Sequence, residues 1–140
     1  MIILDTDCLS LLERERHLES SNLFNALERH QADEICTTII SFEEQMRGWL
    51  SFIARCKTLE EQVVGYERLH RFLDSYRNTP VLDFDDRAAA VFSELKKSKL
   101  RVGTMDLKIA SIAISKKAIL LTRNLSDFEQ VPGLRAEDWT

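Results

Sequence analysis

The stretch KLRVGTMDLKIASIAISKKAILLT, residues 99–122, shows the fold class most clearly. It predicts a helix with few polar positions, followed at once by the short apolar strand AILLT (118–122). A helix that is apolar on nearly every side is mostly buried. Yet an acid, Asp106, stands at its beginning, and burying a carboxylate is unfavourable unless a partner compensates its charge. The simplest interpretation is a first-turn acid behind an N-cap at Thr104.

Further strands are predicted outward from this stretch. The segments 2–4, 34–40 and 79–84 are short apolar runs, and the tail 131–139 offers a short edge strand. Helical patterns separate these runs, which is typical of a parallel sheet covered on both faces. We therefore expect an α/β fold with a central, mainly parallel sheet of four to five strands. The chain of 140 residues, with four glycines and two prolines, is expected to form a single domain over 1–140.

A helical hairpin is predicted at about 42–78. The apolar spacing becomes helical from Phe42, and TLEE offers a capping box of Thr58 and Glu61 at the start of a second helix. The first helix carries four apolar residues within five positions: Trp49, Leu50, Phe52 and Ile53. A single core-facing stripe cannot bury them all, which indicates an interface, unless neighbouring helices cover them.

Bulk composition excludes several classes of protein. A net charge of −4 and a pI of about 5.4 argue against binding nucleic acid by bulk attraction. No apolar run approaches the roughly 20 residues of a membrane span, and no leader precedes the first predicted strand, so we expect a cytoplasmic protein. Cys8, Cys36 and Cys56 have no zinc or redox spacing and are interpreted as reduced thiols.

Polar residues follow the predicted strands at the edge where parallel sheets bind ligands. Asp5 ends the first strand, and Glu44 lies in the first turn of the helix after the second. Asn124 and Asp127 follow the strand 118–122, and Asp106 opens the helix that leads into it. If the sheet is parallel, these five side chains meet at one edge.

Each of these residues also has a structural interpretation as a helix cap. Ser41 and Glu44 match a capping box, and Asp7 is a plausible N-cap for the first helix. Together, however, the carboxylates would repel one another, and a divalent cation such as Mg²⁺ or Mn²⁺ would remove that repulsion. The histidines fall in predicted helices away from this edge: His17, His30 and His70.

Carboxylates that hold such ions suit hydrolysis of a phosphodiester, which needs no covalent nucleophile from the protein. Lys99 and Arg101 precede the Asp106 helix, and Arg123 follows the strand that ends at Thr122. Together with Thr122, these residues could hold a nucleic-acid substrate beside the metal, although basic residues at a helix end are also common without any ligand.

Four motifs resemble those of PIN-domain ribonucleases, in the same order. ILDTD (3–7) resembles the opening motif, and SFEEQMRG (41–48) the second, with a Gly four residues after the Glu. VGTMDLKIASIA (102–113) resembles the third motif. LLTRNLSDFEQVPGLRAEDW (120–139) resembles the C-terminal stretch of VapC-type toxins, the ribonucleases of bacterial toxin–antitoxin pairs.

The resemblance implies a PIN-like three-layer α/β/α sandwich and an endoribonuclease that depends on Mg²⁺ or Mn²⁺. It assigns metal binding to Asp5, Glu44 and Asp106. Many family members have an acid where this chain has Asn124, so Asn124 is interpreted as a polar orienting residue and Asp127 as the candidate fourth acid. RNA would be hydrolysed by a metal-activated water.

The resemblance also implies a cognate antitoxin that blocks the site. The hairpin at 42–78 commonly engages the antitoxin or a second copy in such proteins, so a homodimer is one expectation. Thr6 and Thr122 are expected to hydrogen-bond the carboxylates or a water. Asp7 departs from the family, which often has Asn there, and would serve as a ligand or as a helix cap.

Two other functions remain open from the sequence. LDTDCLS (4–10) resembles the opening of haloacid-dehalogenase phosphatases, with Asp5 as nucleophile and Asp7 as acid/base, but the late strand ends in TRN instead of a paired DD. The second is a non-enzymatic receiver-like module with an acidic pocket, in which Asp83 would accept the phosphoryl group. Its expected Lys-Pro turn after the last strand is missing.

Overall fold

A computed structural model describes residues 1–13 and 18–140, and the fold below refers to these. Within them, five strands form one sheet in which every neighbouring pair is parallel. The strands are β1 (Ile2–Leu4), β2 (Ile35–Thr38), β3 (Val81–Leu82), β4 (Ile119–Leu121) and β5 (Arg135–Glu137). Their order in the sheet is β3-β2-β1-β4-β5, so β1 occupies the centre.

The α-helices of the described residues cover this sheet. They are α1 (Thr6–Glu13), α2 (Leu18–Leu27), α3 (Ile39–Arg55), α4 (Leu59–Arg77), α5 (Asp86–Lys97), α6 (Thr104–Lys116) and α7 (Leu125–Phe128). A single 3₁₀ turn, Ala32–Glu34, precedes β2. The three-layer α/β/α arrangement predicted from the sequence is confirmed. In the part of the chain that the structure describes, no helix combines the length and apolar character needed to cross a membrane.

The central strand β1 divides the core into two layers because successive side chains of a strand point to opposite faces. Ile2 and Leu4 pack in a cluster with residues of α1 and α2. Ile3 packs on the other face, in a cluster dominated by α6. Both faces of the sheet are therefore covered, which explains why its strands are continuous apolar runs.

Helix α6 is the most deeply buried helix among the described residues, as its composition predicts. Its buried residues are Leu107, Ile109, Ala110, Ser111, Ile112 and Ala113. The hydroxyl of Ser111 donates to the carbonyl of Leu107 at 2.7 Å, so even this polar side chain is satisfied within the helix. The helix begins after Gly103 and makes no side-chain cap, so the predicted N-cap at Thr104 is wrong, because Thr104 is already the first helical residue.

The predicted strand 34–40 is too long in its second half. Thr38 is the N-cap of α3, and its hydroxyl accepts a hydrogen bond from the Ser41 backbone amide at 3.1 Å. Ile39 and Ile40 are consequently helical, although β-branched residues favour strands. The strand predicted over 79–84 is likewise confined to Val81–Leu82.

Helices α3 and α4 pack against each other after a short turn. Thr58 caps α4 by accepting from the Glu61 amide, as predicted. Gly65 is the point of close approach, since a Cβ there would lie 2.9 Å from Cγ1 of Ile53. Phe72 is buried and stacks on Phe42, with ring centroids 5.2 Å apart.

Candidate active site

Asp5 follows the central strand and is almost completely buried. Its Oδ1 accepts a hydrogen bond from the Cys8 backbone amide at 2.8 Å, so Asp5 caps α1. The sequence had suggested Asp7 for this role, and that interpretation is wrong because α1 begins one residue earlier, at Thr6. A carboxylate is thereby fixed at the carboxyl end of β1, where open parallel sheets bind ligands.

Glu44 reaches the same edge from the second turn of α3. The hydroxyl of Thr6 donates to Oε1 of Glu44 at 2.9 Å, which joins the first motif to the second. The predicted capping box of Ser41 and Glu44 is wrong, because Thr38 provides the cap and Ser41 lies inside the helix. Glu44 is therefore free of a capping role and points toward the first motif.

Asp106 lies in the first turn of α6, as predicted, and is half-buried. The amide of Leu107 donates to the carbonyl of Gly103 at 2.9 Å, so the helix starts without help from the Asp106 side chain. The apolar body of α6 anchors this turn in the core. A buried helix thus carries a carboxylate at its start that has no role in capping the helix.

The three acids line one cavity at the carboxyl edge of the sheet. Its volume is about 370 Å³, and its lining is Asp5, Thr6, Asp7, Ser10, Glu44, Asp106, Asn124 and Phe128. Ser10 and Phe128 were not singled out from the sequence. Ser10 lies one turn after Thr6 in α1, so helical spacing from the first motif was the available signal.

Asp5, Glu44 and Asp106 all have raised pKa values. Burial raises the pKa of Asp5 most, and the hydrogen bond with Thr122 partly opposes that effect. Burial also raises the pKa of Glu44, and the charges of Asp106 and Asp5 add to it. For Asp106, burial acts first and the charges of Asp5 and Asp127 follow. The acids therefore sense one another, as expected for like charges at one site.

Asn124 and Asp127 form a hydrogen-bonded pair beside the cavity. Nδ2 of Asn124 donates to Oδ2 of Asp127 at 2.7 Å. Asn124 lines the cavity. Asp127 does not line it, but its negative charge helps to raise the pKa of Asp106. The side-chain amide of Asn124 thus holds the carboxylate of Asp127 in place.

Thr122 is completely buried at the end of β4. Its hydroxyl accepts a hydrogen bond from the Asn124 amide at 3.0 Å and also hydrogen-bonds Asp5. The predicted hydrogen bond between Thr122 and a carboxylate is therefore confirmed. The sequence had also suggested that Thr122 binds substrate. That prediction is wrong, because a side chain with no exposed surface positions Asp5 and Asn124 and does not reach a ligand.

Arg123 is held by two acids of the chain itself. Its guanidinium makes a bidentate ion pair with Asp7, both contacts at 2.8 Å, and Nη1 contacts Glu19 at 2.7 Å. These partners raise the pKa of Arg123 above its usual range. Three of the five N–H donors of Arg123 are therefore used within the chain, which leaves it less suited to the predicted role of binding a nucleic-acid backbone. Asp7 and Arg123 follow neighbouring strands β1 and β4, so the parallel register was the signal that could have revealed the pair.

Other predicted side chains lie outside the cavity lining. Lys99 and Arg101 are exposed in the loop that leads into α6. His30 lies after the end of α2 and stacks on Trp139, so its predicted position in a helix is wrong. His70 lies in α4, as predicted, and is a surface residue 3.5 Å from Asp74. His17 lies outside the described residues.

The predicted interface residues behave differently from one another. Leu50 is exposed, with 52% of its surface accessible. Trp49, Phe52 and Ile53 are half-buried, and Ile53 packs against Gly65.

The donor set of the cavity fits a hard divalent cation, since it offers only carboxylate, amide and hydroxyl oxygens. Over residues 1–13 and 18–140, no three His, Cys, Asp or Glu side chains lie close enough together to hold a metal ion directly. An ion such as Mg²⁺ keeps several waters and binds through one or two carboxylates, so a cavity of this volume suits it.

The structure does not support the two alternative functions, because the residues they require are not suitably placed. The phosphatase mechanism needs Asp7 as a free acid/base, and the ion pair with Arg123 occupies it. The receiver-like module needs an acidic pocket at Asp83, which is exposed and does not line the cavity.

Comparisons with known proteins agree with this architecture. The family model for the PIN domain matches residues 2–134. Ribonuclease VapC2 of Haemophilus influenzae is 29% identical over 98% of this chain and 96% of its own length. The tRNA(fMet)-specific endonuclease VapC of Salmonella typhimurium is 41% identical over 42% of this chain, and the match spans about half (48%) of that relative. The solved structure of VapBC2 from Rickettsia felis, bound to a DNA fragment from its promoter, superposes with a TM-score of 0.73 at 25% identity and covers all of both chains. Since the family model spans nearly all of the sequence and the sheet and its acidic edge agree with it, this chain belongs to the PIN domain family.

Proposed function

We propose that this protein is an endoribonuclease that hydrolyses RNA phosphodiester bonds with the help of Mg²⁺ or Mn²⁺. We further propose that it acts as the toxin of a type II toxin–antitoxin pair. PIN-domain ribonucleases are in general dependent on a divalent metal, and relatives named VapC are ribonucleases. The observation that carries the proposal is the meeting of Asp5, Glu44 and Asp106, from three separate elements, around one cavity.

The three carboxylates form the proposed metal site, in which one or two of them bind the ion directly and the remainder act through its waters. Each has a raised pKa, so their negative charges are poorly compensated by the protein alone. When bound, a divalent cation lowers the pKa of a water and offsets the charge that develops on phosphate oxygens. The donor set contains neither imidazole nor thiolate, which favours Mg²⁺ or Mn²⁺ over zinc.

The remaining residues of the site orient these ligands. Thr6 holds Glu44 and Thr122 holds Asp5, so each carboxylate keeps a fixed direction. Asn124 restrains Asp127, the proposed fourth acid, beside Asp106. The exposed Lys99 and Arg101 are the proposed contacts to the RNA backbone near α6. A fixed ligand geometry is what metal-assisted hydrolysis requires of the protein.

The partners follow from the same family. The solved relatives include VapBC complexes, in which toxin and antitoxin are associated. For this chain we propose a cognate antitoxin that covers the carboxylate cavity. Leu50, exposed on α3, is the proposed contact for the antitoxin or for a second copy of the chain.

Cleavage of RNA by matched variants tests the nuclease. We expect the wild type to cleave structured RNA with Mn²⁺ and to stop when a chelator is added. Asp106→Asn should lower the rate at least roughly a hundredfold, since it removes a charge on which the site depends. Asp86→Asn is the control, because Asp86 also lies in a first helical turn but is exposed and outside the cavity. Equal cleavage by the two variants would refute the assignment.

Metal binding is tested without any substrate. Titrating Mn²⁺ into the wild type should raise the melting temperature, since a ligand that binds only the folded state stabilises it. Asp5→Asn should weaken this response, while Asp86→Asn should retain it. An identical response from all three proteins would show that the ion binds elsewhere.

A toxin role has its own test in cells. Induced expression of this chain should arrest growth, and Asp106→Asn should not. Co-expression of a small protein encoded beside it should relieve the arrest. Normal growth with active, metal-binding nuclease present would contradict the toxin role and leave the nuclease intact.

A further inference from the structure

A second and larger cavity adjoins the carboxylate cavity. It has a volume of about 870 Å³ and lies between α1, α3 and α4. The residues that give it chemical character are Gly48, Trp49, Phe52, Arg55, Arg68 and Arg71. We call it the arginine cavity.

The arginines of this cavity outnumber its carboxylates, since the lining contains one acid, Glu13. Among the described residues, no ion pair joins Arg55, Arg68 or Arg71 to a carboxylate. Four arginines elsewhere do have such partners: Arg47, Arg77, Arg123 and Arg135. Three guanidinium groups beside one carboxylate give this cavity a positive charge in a protein of net charge −4, which indicates an anionic occupant.

Aromatic rings lie among these charges. The guanidinium of Arg68 stands 5.3 Å from the centroid of the Phe52 ring. Trp49 meets Phe52 edge to face, with centroids 6.2 Å apart. Arginines interleaved with aromatic rings are the usual means of binding single-stranded nucleic acid, in which guanidinium groups contact phosphates and bases stack on the rings.

Gly48 leaves space on the wall of the cavity. It lies inside α3, where glycine is less favourable than alanine, and a Cβ at this position would meet no atom within 4 Å. Packing of the chain therefore does not require glycine here. Its absent side chain leaves the helix backbone open to a ligand.

The two cavities are neighbours that share a lining residue. Ser10 lines both, and its hydroxyl accepts a hydrogen bond from Nε2 of Gln45 at 3.3 Å. Helix α3 carries Glu44 at the carboxylate cavity and Arg55 at the far end of the arginine cavity, about 16 Å apart along the helix axis. A chain that passes through the first cavity can continue into the second.

We propose that the arginine cavity binds the single-stranded RNA on one side of the scissile bond. The guanidinium groups of Arg55, Arg68 and Arg71 would contact phosphates, and Trp49 would stack on a base. This inference rests on the proposed nuclease function. The carboxylate cavity repels phosphates, so a polyanionic substrate needs cationic contacts beyond it.

An acidic segment of a protein partner is the competing occupant. RNA is favoured because the arginine cavity lies beside the carboxylates, with Ser10 lining both cavities, and because it pairs aromatic rings with arginines. The test must therefore distinguish loss of RNA binding from loss of protein binding.

Binding is measured with a fluorescein-labelled single-stranded RNA of about fifteen nucleotides. The protein carries Asp106→Asn, so that the probe is not cut. We compare the triple variant Arg55→Gln, Arg68→Gln, Arg71→Gln with a control triple variant, Arg29→Gln, Arg77→Gln, Arg87→Gln, which changes the net charge equally on exposed positions elsewhere. Anisotropy is recorded over a range of salt concentrations.

We expect the cavity triple variant to bind at least roughly tenfold more weakly at physiological salt. Its plot of log affinity against log salt should be shallower by about 2, since each phosphate contact in single strands contributes about 0.7. The control triple variant should keep the slope of the parent. Gly48→Gln, which fills the cavity without removing charge, should also weaken binding, and it provides an independent check if the triple variant folds poorly.

Several results would overturn the proposal. Equal losses in the two triple variants would assign the effect to bulk charge. Unchanged RNA affinity in the cavity triple variant, together with lost affinity for a co-purifying protein partner, would assign the cavity to a protein.

Cleavage by the otherwise wild-type enzyme separates this proposal from the proposed function. If the cavity triple variant retains kcat with a raised KM, the cavity binds substrate. If it cleaves as the wild type does, only the cavity proposal fails. If the wild type neither binds nor cleaves RNA with Mn²⁺, the proposed function fails as well.

Discussion

Helices α6 and α4 differ in how much of their surface the rest of the protein covers. Helix α6 has 13 residues and buries six of them, whereas α4 has 19 residues and buries only Gly65 and Phe72. Helix α6 carries Asp106 at its start, and α4 carries Arg68 and Arg71. Asp106 is thus fixed by the core of the fold, whereas Arg68 and Arg71 lie on a largely exposed helix.

This difference has a chemical reason. A metal site tolerates little displacement of its ligands, so its residues benefit from attachment to packed elements. Arginine contacts to a flexible, single-stranded chain are less demanding in direction, because the long side chain adjusts to the phosphate. An exposed hairpin is sufficient for them.

The largest expected difference between the two helices concerns the free energy of unfolding. Ile112→Ala in α6 should lower it by about 2–5 kcal/mol, because Ile112 is completely buried and the substitution leaves a cavity. Leu59→Ala in α4 should change it by less than about 0.5 kcal/mol, since Leu59 is 78% exposed. Urea unfolding followed by circular dichroism measures both. Similar losses would show that α4 is as well packed as α6.

A second pair of variants compares two glycines of the hairpin. Gly48→Ala should stabilise the protein by about 0.5–1 kcal/mol, because alanine favours the helix and its Cβ meets no atom. Gly65→Ala should destabilise it by about 1 kcal/mol, because its Cβ would lie 2.9 Å from Ile53 and force the helices apart. The same denaturation experiment decides, and a change of the same sign in both variants would contradict this account of the packing.

Arg123 tests a contact that belongs to neither helix. Arg123→Gln removes the ion pairs that join the end of β4 to Asp7 and Glu19. Because these side chains are largely exposed, we expect a loss of no more than about 1 kcal/mol in thermal stability. The loss should shrink as salt is added, since salt screens exposed pairs. A large loss that does not depend on salt would mean that Arg123 has a packing role.

The smallest expected effect is a change in how stability depends on pH. Burial and the charges of Asp5 and Asp127 raise the pKa of Asp106 in the folded, metal-free protein. A carboxyl group with a raised pKa contributes stability below its unfolded pKa and loses it as the pH rises through the folded pKa. The stability of Asp106→Asn relative to the wild type should therefore increase as the pH rises above the pKa of ordinary carboxyl groups. Melting temperatures in chelator at several pH values test this, and a constant difference would contradict it.

Much of the fold could be predicted from the sequence because the central strands are covered on both faces. Continuous apolar runs such as Ile2–Leu4 and Ile119–Leu121 indicate strands of this kind, and the helices between them imply parallel pairing. Parallel pairing in turn places the residues that follow the strands at one edge. The meeting of Asp5 and Asp106 follows from these two rules, because Asp106 opens the helix that runs back from this edge into β4.

Other features depend on packing that a single sequence does not display. The residues at 39–40 suit a strand as well as a helix, and the cap at Thr38 decides between them. The pairing of Asp7 with Arg123 depends on the register of β1 against β4. The arginine cavity joins residues from two helices whose separation is set by Gly65. No short sequence pattern predicts any of these contacts.

The position of β1 at the centre of the sheet also has a consequence for synthesis on the ribosome. Ile2 in β1 pairs with Ile119 in β4. Strand β1 is therefore synthesised well before β4, one of the two strands with which it pairs. Pairing between residues so distant in sequence forms late. A partly translated chain therefore lacks the edge at which Asp5 and Asp106 meet. On the proposed function, incomplete chains would therefore not cleave the mRNAs that are being translated nearby.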